Sequence, residues 1–157
     1  MESFEINFLG HHLNVQCSSK GAFAISMEKG KADPKKGPSS AKGKEVFTQI
    51  DKYLHGALDK LDFDIDWSAV QATPFQKKLW KKMEKIGFGK TKTYGQLAES
   101  LGKPGAARAV GSGCNRNPLL LRIPCHRVVA QNDLGGFALG TDMKMRLLEL
   151  EGLSFEK

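Results

Sequence analysis

Cysteine is scarce in this chain of 157 residues: there are three, Cys17, Cys114 and Cys125. Three thiols so widely scattered exclude the disulfide framework that staples small secreted domains. No apolar run approaches the roughly 20 residues a membrane-spanning helix needs. The N-terminus lacks the basic-then-apolar plan of a signal peptide. These absences point to an intracellular protein, cytoplasmic or, in a eukaryote, nuclear, with no membrane partner. Metal-ligand spacing is missing too. His11, His12 and Cys17 lie close together, but no fourth ligand follows at the usual interval, so no metal is expected.

Acidic residues are in short supply in one half only. Residues 1–70 hold 9 Lys/Arg against 10 Asp/Glu, and residues 71–157 hold 15 against 7. The overall charge of +7 therefore sits in the second half, where a polyanion would bind. A merely solvated basic surface is the competing reading.

The length suffices for one domain or two small ones. Residues 4–9, 13–17 and 22–27 alternate apolar and polar side chains and predict three short strands. Residues 29–44 combine six Lys with three Gly, two Pro and two Ser and predict a mobile loop. Val46, Phe47, Ile50, Tyr53, Leu54, Ala57 and Leu58 recur at helical spacing, predicting a helix over 44–59 that covers the sheet. Asp62, Asp64 and Asp66 alternate with Phe63, Ile65 and Trp67, as in an edge strand or extended connector. A boundary near 68–72 then separates an N-terminal α/β domain (1–70) from a mainly helical C-terminal one (71–157). Thr73-Pro74-Phe75-Gln76 is a helix start with a capping box.

Residues 93–101, a turn at 102–105 and a second helix from Ala106 to about Asn115 have helix-turn-helix spacing. The second helix is built of small residues (Ala106, Ala107, Ala109, Gly111, Ser112, Gly113), with Arg108 the long side chain among them. A major-groove reader displays several long polar side chains. A helix is about 10–12 Å across and the minor groove about 6 Å wide, so only a helix stripped to small residues could approach that groove. Close helix packing explains small residues equally well.

The stretch Leu119–Val129 is the most informative. An apolar run ends at Pro124, which cannot donate to a ladder and biases Ile123 to an extended conformation. Cys125 is thereby presented at a turn, beside His126 and Arg127, whose charge would favour a thiolate. A buried structural cysteine is the plainer reading.

Pro124-Cys125-His126-Arg127-Val128 resembles the signature of the O6-alkylguanine-DNA alkyltransferases. Thr93-Tyr94-Gly95, Arg108-Ala109-Val110-Gly111, Asn117-Pro118 and Glu151-Gly152 match the same pattern in order, so the resemblance covers residues 73–153. It implies stoichiometric, irreversible transfer of an alkyl group from O6 of guanine, with O4 of thymine as a further substrate, to Cys125. It also implies no cofactor, a monomer, and double-stranded DNA as partner. Arg108 would fill the gap left by a flipped nucleotide, since a stacked base is out of reach. Gly95, Lys103, Ala106, Ala107, Ala109, Gly111 and Gln131 would join Tyr94 and Arg108 at the DNA. Cys125 and His126 diverge as sequence neighbours, so the family's arrangement, His126 acting through a water and oriented by Glu151, suits them. Tyr94 would donate a hydrogen bond to the leaving guanine. Asn117 would tie the recognition helix to the Cys125 turn, or serve as a helix C-cap. The base pocket would use carbonyls at Cys125 and Val128 and side chains of Cys114, Leu134, Phe137 and Ala138. Thr141 is expected to cap a final helix carrying Met143, Leu147 and Leu150 on one face, with Glu151 in its last turn, where the helix dipole disfavours a carboxylate.

Two positions depart from the family pattern: Phe137 replaces a frequent tyrosine, and Leu139 stands where many members carry a small residue. Both bear on substrate range. Three alternatives stay open: a non-catalytic recognition protein for alkylated DNA, a cysteine hydrolase, and a helix-turn-helix transcription factor.

Overall fold

A computed structural model describes residues 1–154; the last three positions of the expected second domain lie outside the described residues. The chain divides into two compact units, Met1–Gln71 with Pro118–Arg122, and Ala72–Asn117 with Ile123 onward.

The first unit contains β1 (Glu2–Phe8), β2 (His11–Ser18) and β3 (Gly21–Lys29), an antiparallel sheet in that order. The expected alternation is present except at Phe23, which a register shift opposite Gln16 and Cys17 leaves partly exposed while Ala22 is buried in its place. Phe4, Ile6, Leu13, Val15, Cys17, Ile25 and Met27 are buried on the face that α1 (Ala41–Leu54) covers with Val46, Ile50, Tyr53 and Leu54. This helix lies three residues earlier than its apolar spacing suggests. Ser40 caps it by accepting from the Gly43 N–H, and Gly56, in the left-handed region at φ 76°, stops it before Ala57.

The lysine-rich loop is shorter than expected, because β3 takes its start and α1 its end. What remains is tied to β1: Ala32 N–H donates to Asn7, Asp33 N–H to Glu5, and Ser40 N–H to Glu2. Residues 62–67 form a single parallel bridge, Ile65 with Ala22, rather than a strand.

Pro118–Arg122 was expected to belong with the second half. Instead Ile25 N–H donates to Pro118 O at 2.9 Å and Leu120 N–H to Ile25 O at 3.1 Å, which adds a short parallel segment to β3. Arg122 closes it by donating Nε to Phe63 O at 2.9 Å while its guanidinium lies 5.5 Å from the Phe63 ring centroid.

The second unit holds α2 (Pro74–Met83), β4 (Lys92–Thr93), α3 (Tyr94–Ser100), α4 (Ala107–Asn115), β5 (Val128–Val129) and α5 (Thr141–Leu150). The capping box at Thr73 and Gln76 is formed, and Thr93 with Gln96 forms another. Leu79, Trp80 and Met83 of α2 are buried. Trp80 Nε1 donates to Gly113 O of α4 at 2.9 Å. A methyl group on Gly113 would sit 2.4 Å from Leu79 Cδ2, so this glycine serves helix packing. Arg108, Ala109 and Ser112 are exposed. Close packing and an open small-residue surface thus occupy opposite sides of the same helix.

The pair β4–β5 is parallel, with Lys92 opposite Val128 and Thr93 opposite Val129. It is two residues long, yet it fixes the site. β4 runs directly into Tyr94 at the start of α3, and β5 follows directly on the Cys125 turn. Thr141 is not the cap of α5. Gly140 occupies that position at φ 94° without a side-chain bond, a backbone angle that a threonine rarely adopts. No helix among the described residues is long and apolar enough to cross a membrane.

Candidate active site

Pro124 ends the extended segment, and Cys125–Arg127 makes one turn of 3₁₀ helix. Cys125 is 5% exposed and His126 fully buried. Burial pushes the Cys125 thiol up from its ordinary range. An Asn117 side-chain hydrogen bond, the Lys144 charge and the backbone N–H groups of Cys125 and His126 act the other way. Asn117 also donates Nδ2 to Ile123 O at 2.7 Å, so one amide fixes both the approach to the turn and the sulfur.

His126 Nε2 lies 2.7 Å from Glu151 Oε2, with neither side chain accessible. The carboxylate has further donors: Arg127 Nε at 2.8 Å, Arg127 Nη2 at 3.0 Å and the Gly89 N–H at 3.0 Å. Arg127 Nη1 donates to Ile86 O at 2.6 Å. Burial lowers the His126 pKa; Glu151 opposes this, while Arg127 and Lys144 add to it. The guanidinium already compensates the carboxylate, so His126 is held as a neutral imidazole whose orientation Glu151 sets.

Glu151 is the residue just beyond α5, at its C-cap, rather than inside the last turn. Four donors replace the water that a carboxylate would otherwise need there.

Lys144 was not anticipated. It is fully buried, donating Nζ to Val128 O at 2.6 Å and Gly136 O at 3.0 Å, 5.9 Å from the Tyr94 ring centroid. Burial lowers its pKa, opposed by Cys125, Cys114 and Asp133. A sequence signal existed: Lys144, Leu147, Leu148 and Glu151 share one helical stripe, so both charges point into the core. Arg127 was read only as positive charge near the thiol, and its grip on Glu151 was missed.

Tyr94 is half-buried, with its hydroxyl 3.4 Å from Gly136 O. Burial raises its pKa. Gly111 and Gly135 flank its ring: an added methyl would lie 4.0 Å from Cε1 at the first and 2.7 Å from the hydroxyl at the second. Cys114 Sγ contacts Met83 Sδ at 4.0 Å, and burial pushes its thiol up to about 12.

The remaining predicted residues fall into two groups. Arg108, Ala109 and Lys103 are exposed, Ala106, Ala107 and Gly111 partly so, on or beside α4, with Gly95 at the start of α3. The exposed side of α4 also includes Ser112, one of its small residues, and Asn115 and Arg116, which sequence reasoning left out. Gln131 and Leu134 line a groove of about 1080 Å³ with Thr93, Gly135, Gly136 and Met145. Cys114, Val128, Phe137 and Ala138 do not line it. Leu134 is the residue that this groove shares with the expected base pocket. The two carbonyls expected there are already engaged, Cys125 O by Val128 N–H and Val128 O by Lys144, leaving each a second lone pair.

Fold and site together define a helix-turn-helix protein built around a buried thiol, imidazole and carboxylate. The comparisons are specific. The family described as 6-O-methylguanine DNA methyltransferase, DNA binding domain, matches residues 74–153, and the chain belongs to that family. A methylated-DNA–protein-cysteine methyltransferase of Methanosarcina acetivorans is 43% identical over 110 residues, 69% of each chain. The Mycobacterium tuberculosis O6-methylguanine methyltransferase crystal structure superposes with a TM-score of 0.81 at 31% identity, covering 96% of this chain and 92% of that one. The OGT of the same organism in complex with DNA gives 0.83 at 30% identity, with the same coverage.

Proposed function

We propose that this chain repairs double-stranded DNA by moving an alkyl group from O6 of guanine onto Cys125, once per molecule and without a cofactor. The observation that carries the reading is the buried 2.7 Å contact between His126 and Glu151, one residue from a thiol that Asn117 holds. With Nε2 donating to Glu151, Nδ1 is the basic nitrogen, and it takes the thiol proton through a water. The thiolate sulfur attacks the alkyl carbon. A carbon–sulfur bond forms, the carbon–oxygen bond breaks, and its electron pair passes into the guanine ring. Tyr94 donates a proton to the departing base and recovers one through solvent from His126. The product is a thioether, which thiol exchange cannot reverse.

Lys144 belongs to the same machinery. Its charge favours the thiolate, and its two carbonyl bonds brace β5 against the 131–140 loop. Arg108, on the exposed side of α4, fills the space of a flipped nucleotide, with the small residues beside it admitting the helix to the minor groove. The protein works as a monomer in the compartment that holds the DNA.

The test mixes protein with excess duplex carrying one O6-methylguanine and reads intact and peptide mass. One added methyl, confined to the Cys125 peptide and stopping at one per protein, is the expected result. Binding without an adduct would leave a recognition protein instead.

A further inference from the structure

We propose that the lysine face of α2 is a second DNA-backbone contact, one that takes hold of a duplex segment other than the segment held at α4. The inference rests on the reading above that α4 meets DNA.

Lys77, Lys78, Lys81, Lys82 and Lys85 are all exposed, while Leu79, Trp80, Met83 and Ile86 are buried. At 3.6 residues per turn Lys77, Lys78, Lys81 and Lys82 form one side of α2, opposite Leu79, Trp80 and Met83, and Lys85 follows in the turn just beyond the helix. The apolar side faces α4, through Trp80 and Leu79 against Gly113. The lysines therefore point away from α4. That helix in turn exposes Arg108, Ala109, Ser112, Asn115 and Arg116 opposite its buried Val110 and Gly113. Two basic faces thus diverge. Duplex DNA is stiff, with a persistence length of about 150 base pairs, so one straight segment on α4 does not also reach the far side of α2.

The lysine face is concave. Lys78, Lys81, Lys82 and Lys85 line a groove of about 300 Å³ with Ser100 and Leu101 at the end of α3. Two carboxylates are sequence neighbours of the groove, Glu84, partly buried at the C-cap of α2, and Glu99, next to Ser100 on α3; five ammonium groups outnumber them. Lysine ammoniums act as point charges toward phosphate and carry no base readout. Leu101, partly buried, is the apolar side chain in the groove's lining, beside four lysines. A helix with this pattern grips any DNA backbone, whatever its sequence. A protein with two such faces can pass from one duplex to another without first becoming free.

The test follows dissociation from a labelled, undamaged duplex while unlabelled duplex is raised. In the native protein the dissociation rate should climb with competitor concentration, because the lysine face captures the competitor before the first duplex leaves. In a Lys78→Gln, Lys82→Gln, Lys85→Gln variant that dependence should be lost, while the rate constant for methyl transfer at saturating DNA stays unchanged. The substitutions are at exposed positions, and a matching thermal melt confirms the fold. A native dissociation rate independent of competitor, or a variant as responsive as the native protein, overturns the proposal. Failure of methyl transfer in the native protein would instead overturn the reading of the site, because competitor dependence is measured on undamaged DNA.

Discussion

Glu151 Oε2 stands 2.7 Å from His126 Nε2 and 3.0 Å from Arg127 Nη2, so two consecutive side chains share one buried carboxylate oxygen. Glu151→Gln removes the charge that both depend on. General-base catalysis contributes about 10²–10⁴-fold, and a misoriented imidazole should forfeit about 10²-fold of the single-turnover rate. Arg127 would be left as a buried charge without its counterion, costing about 3–5 kcal/mol of stability. Quench-flow transfer assays and urea unfolding read the two effects separately. An unchanged rate in a destabilised variant would assign Glu151 to the fold alone.

The pH profile has two sides. His126 has a depressed pKa from burial, so it stays neutral down to below its ordinary 6.5. Transfer should hold steady through neutrality and fall only in more acid solution. Above about pH 9 the rate should rise, as the raised Cys125 thiol begins to ionise without help. Stability follows the opposite limbs. Between the folded His126 pKa and 6.5 the unfolded chain binds more protons, so stability is lost as pH falls through that window. Above 9 the unfolded Cys125 thiol ionises first, so stability is lost as pH rises. Single-turnover rates and thermal melts from pH 5 to 10, spaced about one unit apart, check both signs.

Lys144→Met separates charge from packing. The methionine matches the stem but leaves Val128 O and Gly136 O without the ammonium. We expect about a tenfold slower transfer, with the apparent thiol pKa moved upward by loss of a neighbouring cation. Stability should change by less than about 2 kcal/mol, because removing a buried charge offsets the lost hydrogen bonds. Iodoacetamide alkylation of Cys125 against pH reads the thiol directly. A thiol pKa equal to that of the native protein would eliminate the electrostatic role.

Gly113→Ala tests the α2–α4 contact. The new methyl meets the fully buried Leu79, and overpacking of this kind costs about 1–3 kcal/mol. Leu79→Ala in the same chain should recover part of the loss, giving a favourable coupling in a double-mutant cycle. Additive effects would show that α4 shifts freely.

The sequence announced much of this and hid the rest for definite reasons. The alternation of Phe4, Ile6, Leu13, Val15 and Ile25 foretold a small sheet, because one of its faces is covered and the period of two survives there, breaking only at the register shift beside Phe23. The box at Thr73 and Gln76 was legible because capping is local chemistry. Pro118–Arg122 was not, since its joining β3 depends on a partner nearly a hundred residues away. The β4–β5 pair is too short to leave a period. The motif around Cys125 named the thiol and imidazole, and the Glu151-Gly152 match named the carboxylate. Lys144 escaped because a charge on an apolar stripe is ordinarily taken for a break in that stripe. The groove lined by Gln131 and Leu134 depends on how the 131–140 loop turns at Gly135, which no pattern in the residues specifies.

One consequence follows from where Glu151 lies. Chains are made from the N-terminus, so Cys125 and His126 are synthesised before the carboxylate that orients them. Until α5 docks, the thiol lacks the neighbouring cation of Lys144 and the imidazole lacks its anchor. A half-made chain therefore lacks the arrangement that transfer to Cys125 requires, and a reagent that can be used only once is armed only after α5 has folded.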